Sequence, residues 1–135
     1  MNCSVFACHQ NHYGNDLSRV TGTLPIINHL IEIRSYNLKP GSRDEFHRLF
    51  IEEAFPLLKG WNVDVVVYGP SLHDENTYYL MRRFDSLAQR EQSEVAFYGS
   101  DEWRKGPREQ IIALIENYTE IVLELDEVAV KWLRK

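Results

Sequence analysis

The run Leu30-Ile31-Glu32-Ile33-Arg34-Ser35-Tyr36-Asn37-Leu38 alternates, and a period of two is the signature of a strand. Leu30, Glu32, Arg34, Tyr36 and Leu38 share one face, while Ile31, Ile33 and Ser35 share the other. Lys39-Pro40-Gly41 closes the run. Ser42, with Glu45 three places on, reads as a capping box that opens a helix carrying Phe46, Leu49, Phe50 and Leu57, running to about Leu58. Pro56 lies inside that span and is expected to kink or loosen its last turn, because it lacks a backbone donor.

Downstream, Val63 to Tyr68 is β-branched and apolar up to Gly69-Pro70. Thr77 to Phe84 is a second, aromatic-rich run across the polar loop Ser71 to Asn76, so the two form a hairpin. Asp85 or Ser86, with Gln89 completing a second box, starts a helix that fades near Tyr98-Gly99. Ser100-Asp101 restarts a turn around Trp103, and Pro107 suits the first position of a helix bearing Ile111, Leu114, Ile115 and Tyr118. Tyr118 to Leu125 alternates as a last strand, and Asp126 to Lys135 is short and amphipathic, with Val128, Val130, Trp132 and Leu133 available for docking. Strand, helix, strand, strand, helix, strand is the split βαβ order. It describes an α+β, ferredoxin-like βαββαβ domain, with an antiparallel four-stranded sheet and helices on one face.

Four such strands leave on the order of 350 Å² of sheet bare on the far side, at the upper end of what a monomer leaves wet. A second copy is the simplest cover, so a homodimer joined through its sheet faces is expected. Ile31, Ile33, Ile121 and Leu123, the more apolar set, are assigned to the helix side. That turns Glu32, Arg34, Tyr36, Glu120 and Glu124 into the space between the paired sheets. For Tyr78 to Phe84 periodicity leaves two assignments open; Leu80 and Phe84 make the stronger core pair, which sends Met81 and Arg83 toward that same space. Two readings of the polar groups stand side by side. Glu32, Arg34, Tyr36, Arg83 and Glu120 line a pocket for a small apolar or amphipathic molecule, or the charges form salt bridges that fix the pairing of the sheets.

The chain has 135 residues, enough for one domain, and its 15 basic and 20 acidic groups give a net charge of −5. Such a surface repels phosphate backbones and anionic lipid, so nucleic acid is not expected as a partner. No stretch approaches the roughly twenty apolar residues of a membrane span, so no membrane insertion is expected and a cytoplasmic protein is read. Residues 1–27 contribute only Arg19 and Asp16 and carry turn formers without periodicity, which marks a flexible N-terminal tail ahead of a folded domain over 28–135. Cys3, Cys8, His9 and His12 are packed too closely for the two separated ligand pairs of tetrahedral zinc, so no metal is expected. GxGxxG, GxxxxGK, GxSxG, HExxH and paired CxxC are all absent, and no cofactor is expected. His47, beside Phe46, is placed at the cavity rim or in solvent, and His73 in a solvated hairpin tip with Asp74 and Glu75.

Three segments resemble the NIPSNAP family. They are Ile31-Glu-Ile-Arg-Ser-Tyr-Asn-Leu-Lys-Pro-Gly41, Phe84-Asp-Ser-Leu-Ala-Gln-Arg-Glu91 and Ser100-Asp-Glu-Trp103, which follow the family's E-L-R-T-Y-x-L-K-P-G, D-x-L-A-x-R-E and D-P-E-W in order over about Leu30 to Leu125. The resemblance implies a dimeric α+β barrel, related in shape to antibiotic-biosynthesis monooxygenases that work without a bound cofactor. It marks Glu32, Arg34, Tyr36, Arg90 and Trp103. Arg90 also has an ordinary role open to it, bridging to Glu94 along its helix, and Trp103 one as the anchor of a short helix. Leu80 and Arg82 stand where members often carry a histidine and a tryptophan. The expected function is a homodimeric small-molecule-binding or protein-interaction module. The alternative is a cofactor-independent oxygenase or isomerase, with Tyr36, Arg34, His47 or His73 polarising the substrate or moving a proton. A purely structural dimer with a filled cavity is the third reading.

Overall fold

The computed structural model describes residues 27–134. The expected tail, with Cys3, Cys8, His9 and His12, lies outside them apart from Ile27. Four strands, β1 (Asn28–Leu38), β2 (Asp64–Pro70), β3 (Thr77–Phe84) and β4 (Ile115–Asp126), form one sheet in the order β2-β3-β1-β4. Every pairing is antiparallel, as the split βαβ order requires. The first crossover is α1 (Arg43–Leu49), a π-helical turn (Phe50–Ala54) and α2 (Phe55–Gly60). The second is α3 (Leu87–Tyr98), α4 (Asp101–Arg104) and α5 (Arg108–Ile112), and a terminal helix α6 (Glu127–Leu133) follows β4.

Local chemistry accounts for most boundaries. Pro40 and Gly41, the latter at φ +78, turn the chain out of β1 in the way a proline–glycine pair suits. The widened turn sits just before Pro56, and the Phe55 N–H reaches back to the Phe50 carbonyl. A regular α-helix would press the Pro56 ring against the Glu52 carbonyl, and one wide turn relieves this without ending the helix. The Ser42–Glu45 box does not form: the Ser42 side chain makes no cap bond, and Glu45 is held by Arg48 at 2.6 and 3.0 Å instead. The second box does form, with Ser86 Oγ accepting from the Gln89 N–H at 3.0 Å and the Gln89 side chain accepting from the Asp85 N–H at 3.0 Å.

The faces of β1 are the reverse of the sequence assignment. Register pairs Glu32 with Arg82, Arg34 with Leu80 and Tyr36 with Tyr78, and directly opposed residues share a face. Tyr36, Leu38, Tyr78, Leu80 and Phe84 pack with Phe46, Leu49, Phe50, Leu58, Phe97, Trp103 and Ile111, so this is the side covered by both crossovers. Glu32 and Arg34 therefore point into the subunit's own core. Ile31 and Ile33 lie on the far side with Val66, Val67, Met81 and Leu125. An extra residue at Val66, in a register shift between Val65 and Val67, turns two successive valines to that side. The far face is also partly covered by α6, whose Val130 and Leu133 dock on it while Val128 and Trp132 stay exposed. Asp126 caps this helix by accepting from the Ala129 N–H at 2.7 Å.

Candidate functional site

Arg90, Glu94 and Tyr98 recur every fourth residue along α3 and so form one stripe. That stripe meets Glu32, Arg34 and Arg82 on the sheet and Glu120 on β4. Glu32 is fully buried and ion-paired to Arg82, to Arg34 at 2.9 Å and to Arg90 at 2.5 Å. Glu94 pairs with Arg82 at 3.0 Å and Arg34 at 3.3 Å, and Glu120 with Arg34 and Arg90, both at 3.2 Å. The Tyr98 hydroxyl accepts from Arg82 at 2.9 Å and from Arg34 at 3.1 Å. Arg82 Nε, deeply buried, has no hydrogen-bond partner among the described residues, so the network has donors to spare.

Burial works against the charge on both inner carboxyls, and their surroundings separate them. Burial pushes Glu32 up, but the hydrogen bond with Glu94 and the Arg82 and Arg34 guanidiniums outweigh it and bring the group down to about 2. Burial, followed by the hydrogen bond and charge of Glu32, pushes Glu94 up to about 7 against the pull of Arg82 and Arg34. One proton is thus shared between two carboxyls near neutrality. With Glu94 protonated, the guanidiniums of Arg34, Arg82 and Arg90 face only the carboxylates of Glu32 and Glu120, and one positive charge is in excess. Burial pushes the Tyr36 hydroxyl up to about 12, so it stays protonated. Glu32, Glu94 and Glu120 carry oxygens within 4.8 Å of one another, a spacing a cation would accept. Arg34 already touches all three, and the donor set is saturated by guanidinium rather than left for a metal.

A cavity of about 370 Å³ opens beside this network, lined by Arg34, Tyr36, Tyr98, Trp103, Arg108, Ile111, Ile112, Ile115 and Tyr118. A separate void of about 40 Å³, lined also by Phe46, Leu80 and Phe97, shares Tyr36, Tyr98, Trp103 and Ile111 with it. Outward, Tyr98 and Arg108 also border a polar groove with Arg104 and Lys105. The wall is fixed by the break between α3 and α4. The Ser100 hydroxyl donates to the Phe97 carbonyl at 2.6 Å and accepts from the Trp103 N–H at 3.3 Å. The Trp103 ring then rests 5.4 Å from Phe97 and 5.5 Å from Tyr98.

Of the residues singled out from the sequence, Glu32, Arg34, Tyr36 and Glu120 do come together, but between the sheet and α3 rather than between two sheets. Only Arg34 and Tyr36 reach the cavity. Arg83 lies with Met81 on the far face, the side to which the stronger core pair Leu80 and Phe84 sends it, and there it is paired to Asp64 at 3.5 Å, away from this cavity, while its neighbour Arg82 enters the network. Glu124, opposite Leu30, is exposed at the sheet edge. Arg90 does bridge to Glu94, at 3.6 Å, and also reaches Glu32 and Glu120. His47 bonds the Tyr78 hydroxyl at 2.7 Å and His73 the Ser71 hydroxyl at 2.9 Å; neither lines the cavity with Arg34. The sequence reading missed Tyr98, Arg108, Ile112 and the network role of Arg82. The Arg90, Glu94, Tyr98 stripe was the available signal, since a polar stripe on an otherwise core-facing helix needs matching charges opposite it.

A four-stranded ferredoxin-like sheet with a cavity under the second crossover defines a class of small α+β subunits. Within that class the chain belongs to the NIPSNAP family, whose model matches residues 31–125. No curated protein matches it. Among solved structures it is similar to a NIPSNAP family protein with unknown function from Agrobacterium tumefaciens, at 22% identity and a TM-score of 0.67, over 73% of this chain and 88% of that one. A NIPSNAP-like domain protein from Burkholderia xenovorans matches at 20% identity and a TM-score of 0.65, over 70% and 83%. A protein from Nitrosomonas europaea, named as a candidate antibiotic biosynthesis monooxygenase, matches at 9% identity and a TM-score of 0.54, over 70% and 95%. At these identities the likeness shows a common fold.

Proposed function

We propose that this NIPSNAP-family chain is a small-molecule-binding protein whose ligand sits in the cavity between β1, β4 and the α3 to α5 segment. One observation carries the reading: an apolar-walled cavity of about 370 Å³ with Arg34 and Arg108 converging on it. That volume is at the lower end of small-molecule sites, which combine an apolar lining with a few oriented polar groups. The buried network supplies the orientation, because Arg34 is clamped by Glu32, Glu94, Glu120 and Tyr98 before any ligand arrives. Native mass spectrometry of protein purified from its own host tests this directly. A retained molecule lost on Ile112→Trp, which fills the cavity wall, is expected; a ligand-free spectrum together with a crystal showing side chains filling the cavity would end the reading.

The same proposal retains the homodimer, now through the far face, where Ile33, Val67, Met81 and Leu123 are half-buried and Ile121 and Trp132 exposed. Sedimentation should give twice the chain mass at micromolar protein, and Ile121→Lys should halve it; a wild-type chain sedimenting as one subunit would remove the dimer. Sparing use of cysteine supports a cytoplasmic location. Among the described residues no helix is long and apolar enough to cross a membrane. An enzyme without cofactor is the second reading, favoured by the Glu94 carboxyl poised near neutrality and linked to the cavity through Arg34 and Tyr98. Turnover of any bound molecule that survives Glu94→Gln unchanged would exclude that carboxyl as proton carrier.

A further inference from the structure

We infer, resting on the cavity reading above, that the ligand is a small carboxylic acid in its ionised form, its carboxylate held by Arg34 and Arg108 and its apolar body laid against Trp103, Ile111, Ile112 and Ile115. The cavity wall contains two guanidiniums and no carboxylate. Arg34 spends its Nε–H on Glu32 and Glu120, one Nη1 hydrogen on Tyr98 and one Nη2 hydrogen on Glu94, which leaves two of its N–H groups for a ligand. Arg108 has one acidic partner among the described residues, its sequence neighbour Glu109, and with side chains 42% and 77% exposed that pair holds it weakly.

The sign of the charges narrows the chemistry. The charged groups of the cavity wall are the guanidiniums of Arg34 and Arg108, with no carboxylate among the lining residues to match them, and Arg34 is the member of the buried network that reaches the cavity. An anion matches this surplus, and a planar carboxylate matches the guanidinium fork. A cationic ligand has no welcome here, since the Tyr98 and Tyr118 rings that would receive it already carry Arg34 at 5.4 and 5.1 Å. The wall the cavity shares with the buried void beneath it includes Tyr36, Trp103 and Ile111, so the apolar part of the molecule points to that side and the acid group remains at the Arg108 side.

The test uses the full chain with Trp61→Phe and Trp132→Phe, both partly exposed positions, so that Trp103 is the one remaining tryptophan. Naphthalene-2-carboxylate and naphthalene-2-carboxamide have the same shape and differ in charge; acetate serves as the acid without a body. Trp103 quenching should show the carboxylate binding at least about tenfold more tightly than the amide, with acetate showing no saturation below millimolar. Arg108→Gln should weaken the carboxylate about tenfold and leave the amide unchanged. Equal affinities for acid and amide, or a carboxylate indifferent to Arg108→Gln, would overturn the charge assignment and leave the cavity reading intact. Saturable binding by acetate alone would mark a surface anion site and overturn it too. No binding of either naphthalene would take the cavity reading down with it.

Discussion

Changing Glu32 to Gln removes the charge at the centre of the buried network and keeps its shape. Glu32 is fully buried and faces Arg82, Arg34 and Arg90. Once it is neutral, the Arg82 side chain, 1% exposed, is left with Glu94 as its one acidic partner. Breaking a buried pair from one side costs about 3–5 kcal/mol, because the abandoned charge keeps its desolvation penalty. Part of this is recovered: the Glu32 hydrogen bond and charge help hold Glu94 protonated, and without them Glu94 ionises and restores one negative charge. A net loss of about 2–4 kcal/mol at pH 7 is therefore expected, a large share of the roughly 5–15 kcal/mol that holds a domain together. Urea unfolding followed by circular dichroism measures it, with an unchanged m-value showing that the loss is in stability rather than in compactness. The double change Glu32→Leu with Arg82→Met deletes one charge of each sign and leaves Arg34 and Arg90 with Glu94 and Glu120. It should be more stable than Glu32→Gln by at least about 1 kcal/mol. A loss below about 0.5 kcal/mol for Glu32→Gln, the scale of a solvated pair, would refute the account of a buried, interdependent network.

Glu94 gives a pH dependence: held at about 7 in the fold against roughly 4.3 in the unfolded chain, it makes the native state bind more protons in that window. Stability should fall as pH rises from about 4.5 to about 7, by up to about 3 kcal/mol, and urea midpoints across that range should flatten in Glu94→Gln. Glu32 acts oppositely, its stabilisation being lost as pH falls from about 4.3 toward 2. Gly106→Ala should cost about 1–3 kcal/mol in the same assay, because its Cβ would run into the Glu102 backbone carbonyl, and it should weaken cavity ligands by moving Trp103 and Arg108. Asp126→Ala should cost about 1 kcal/mol and speed amide exchange in α6, since it deletes the cap on the Ala129 N–H.

Element order was legible because each boundary carried its own chemistry: the alternation of β1, the Ser86–Gln89 box, the Ser100 turn and Pro107 all act within a few residues of sequence. Which side of β1 faces the helices was not, because hydrophobicity alone misleads when charges neutralise one another in the core. Ile31 and Ile33 are the more apolar set, yet Glu32 and Arg34 are the buried pair under the crossovers. The sheet order supplied a correction in principle. It sets β3 beside β1, so placing Leu80 and Phe84 on the helix side also places Arg82 there, and a buried arginine requires an acid opposite it on β1. The stripe on α3 said the same from the other side. The Ser42–Glu45 box failed for a local reason, since Arg48 one turn on competes for the Glu45 carboxylate more strongly than a backbone N–H does.

The network is costly in stability, and its position indicates what that cost secures. A leucine and methionine pair at Glu32 and Arg82 would pack the same space without desolvating ions. Such a core would leave Arg34 free to swing on its long side chain, and every ligand would then have to order it. With the Glu32, Glu94 and Glu120 side chains and the Tyr98 hydroxyl fixing it from one side, Arg34 presents its remaining N–H groups to the cavity at no further entropic cost. The apolar wall opposite, from Trp103 to Ile115, lowers the local dielectric and strengthens whatever those groups hold. Rigid charge on one side and dry surface on the other are the two things recognition of a small amphipathic anion demands, and here a single strand and a single helix break bring them within one cavity.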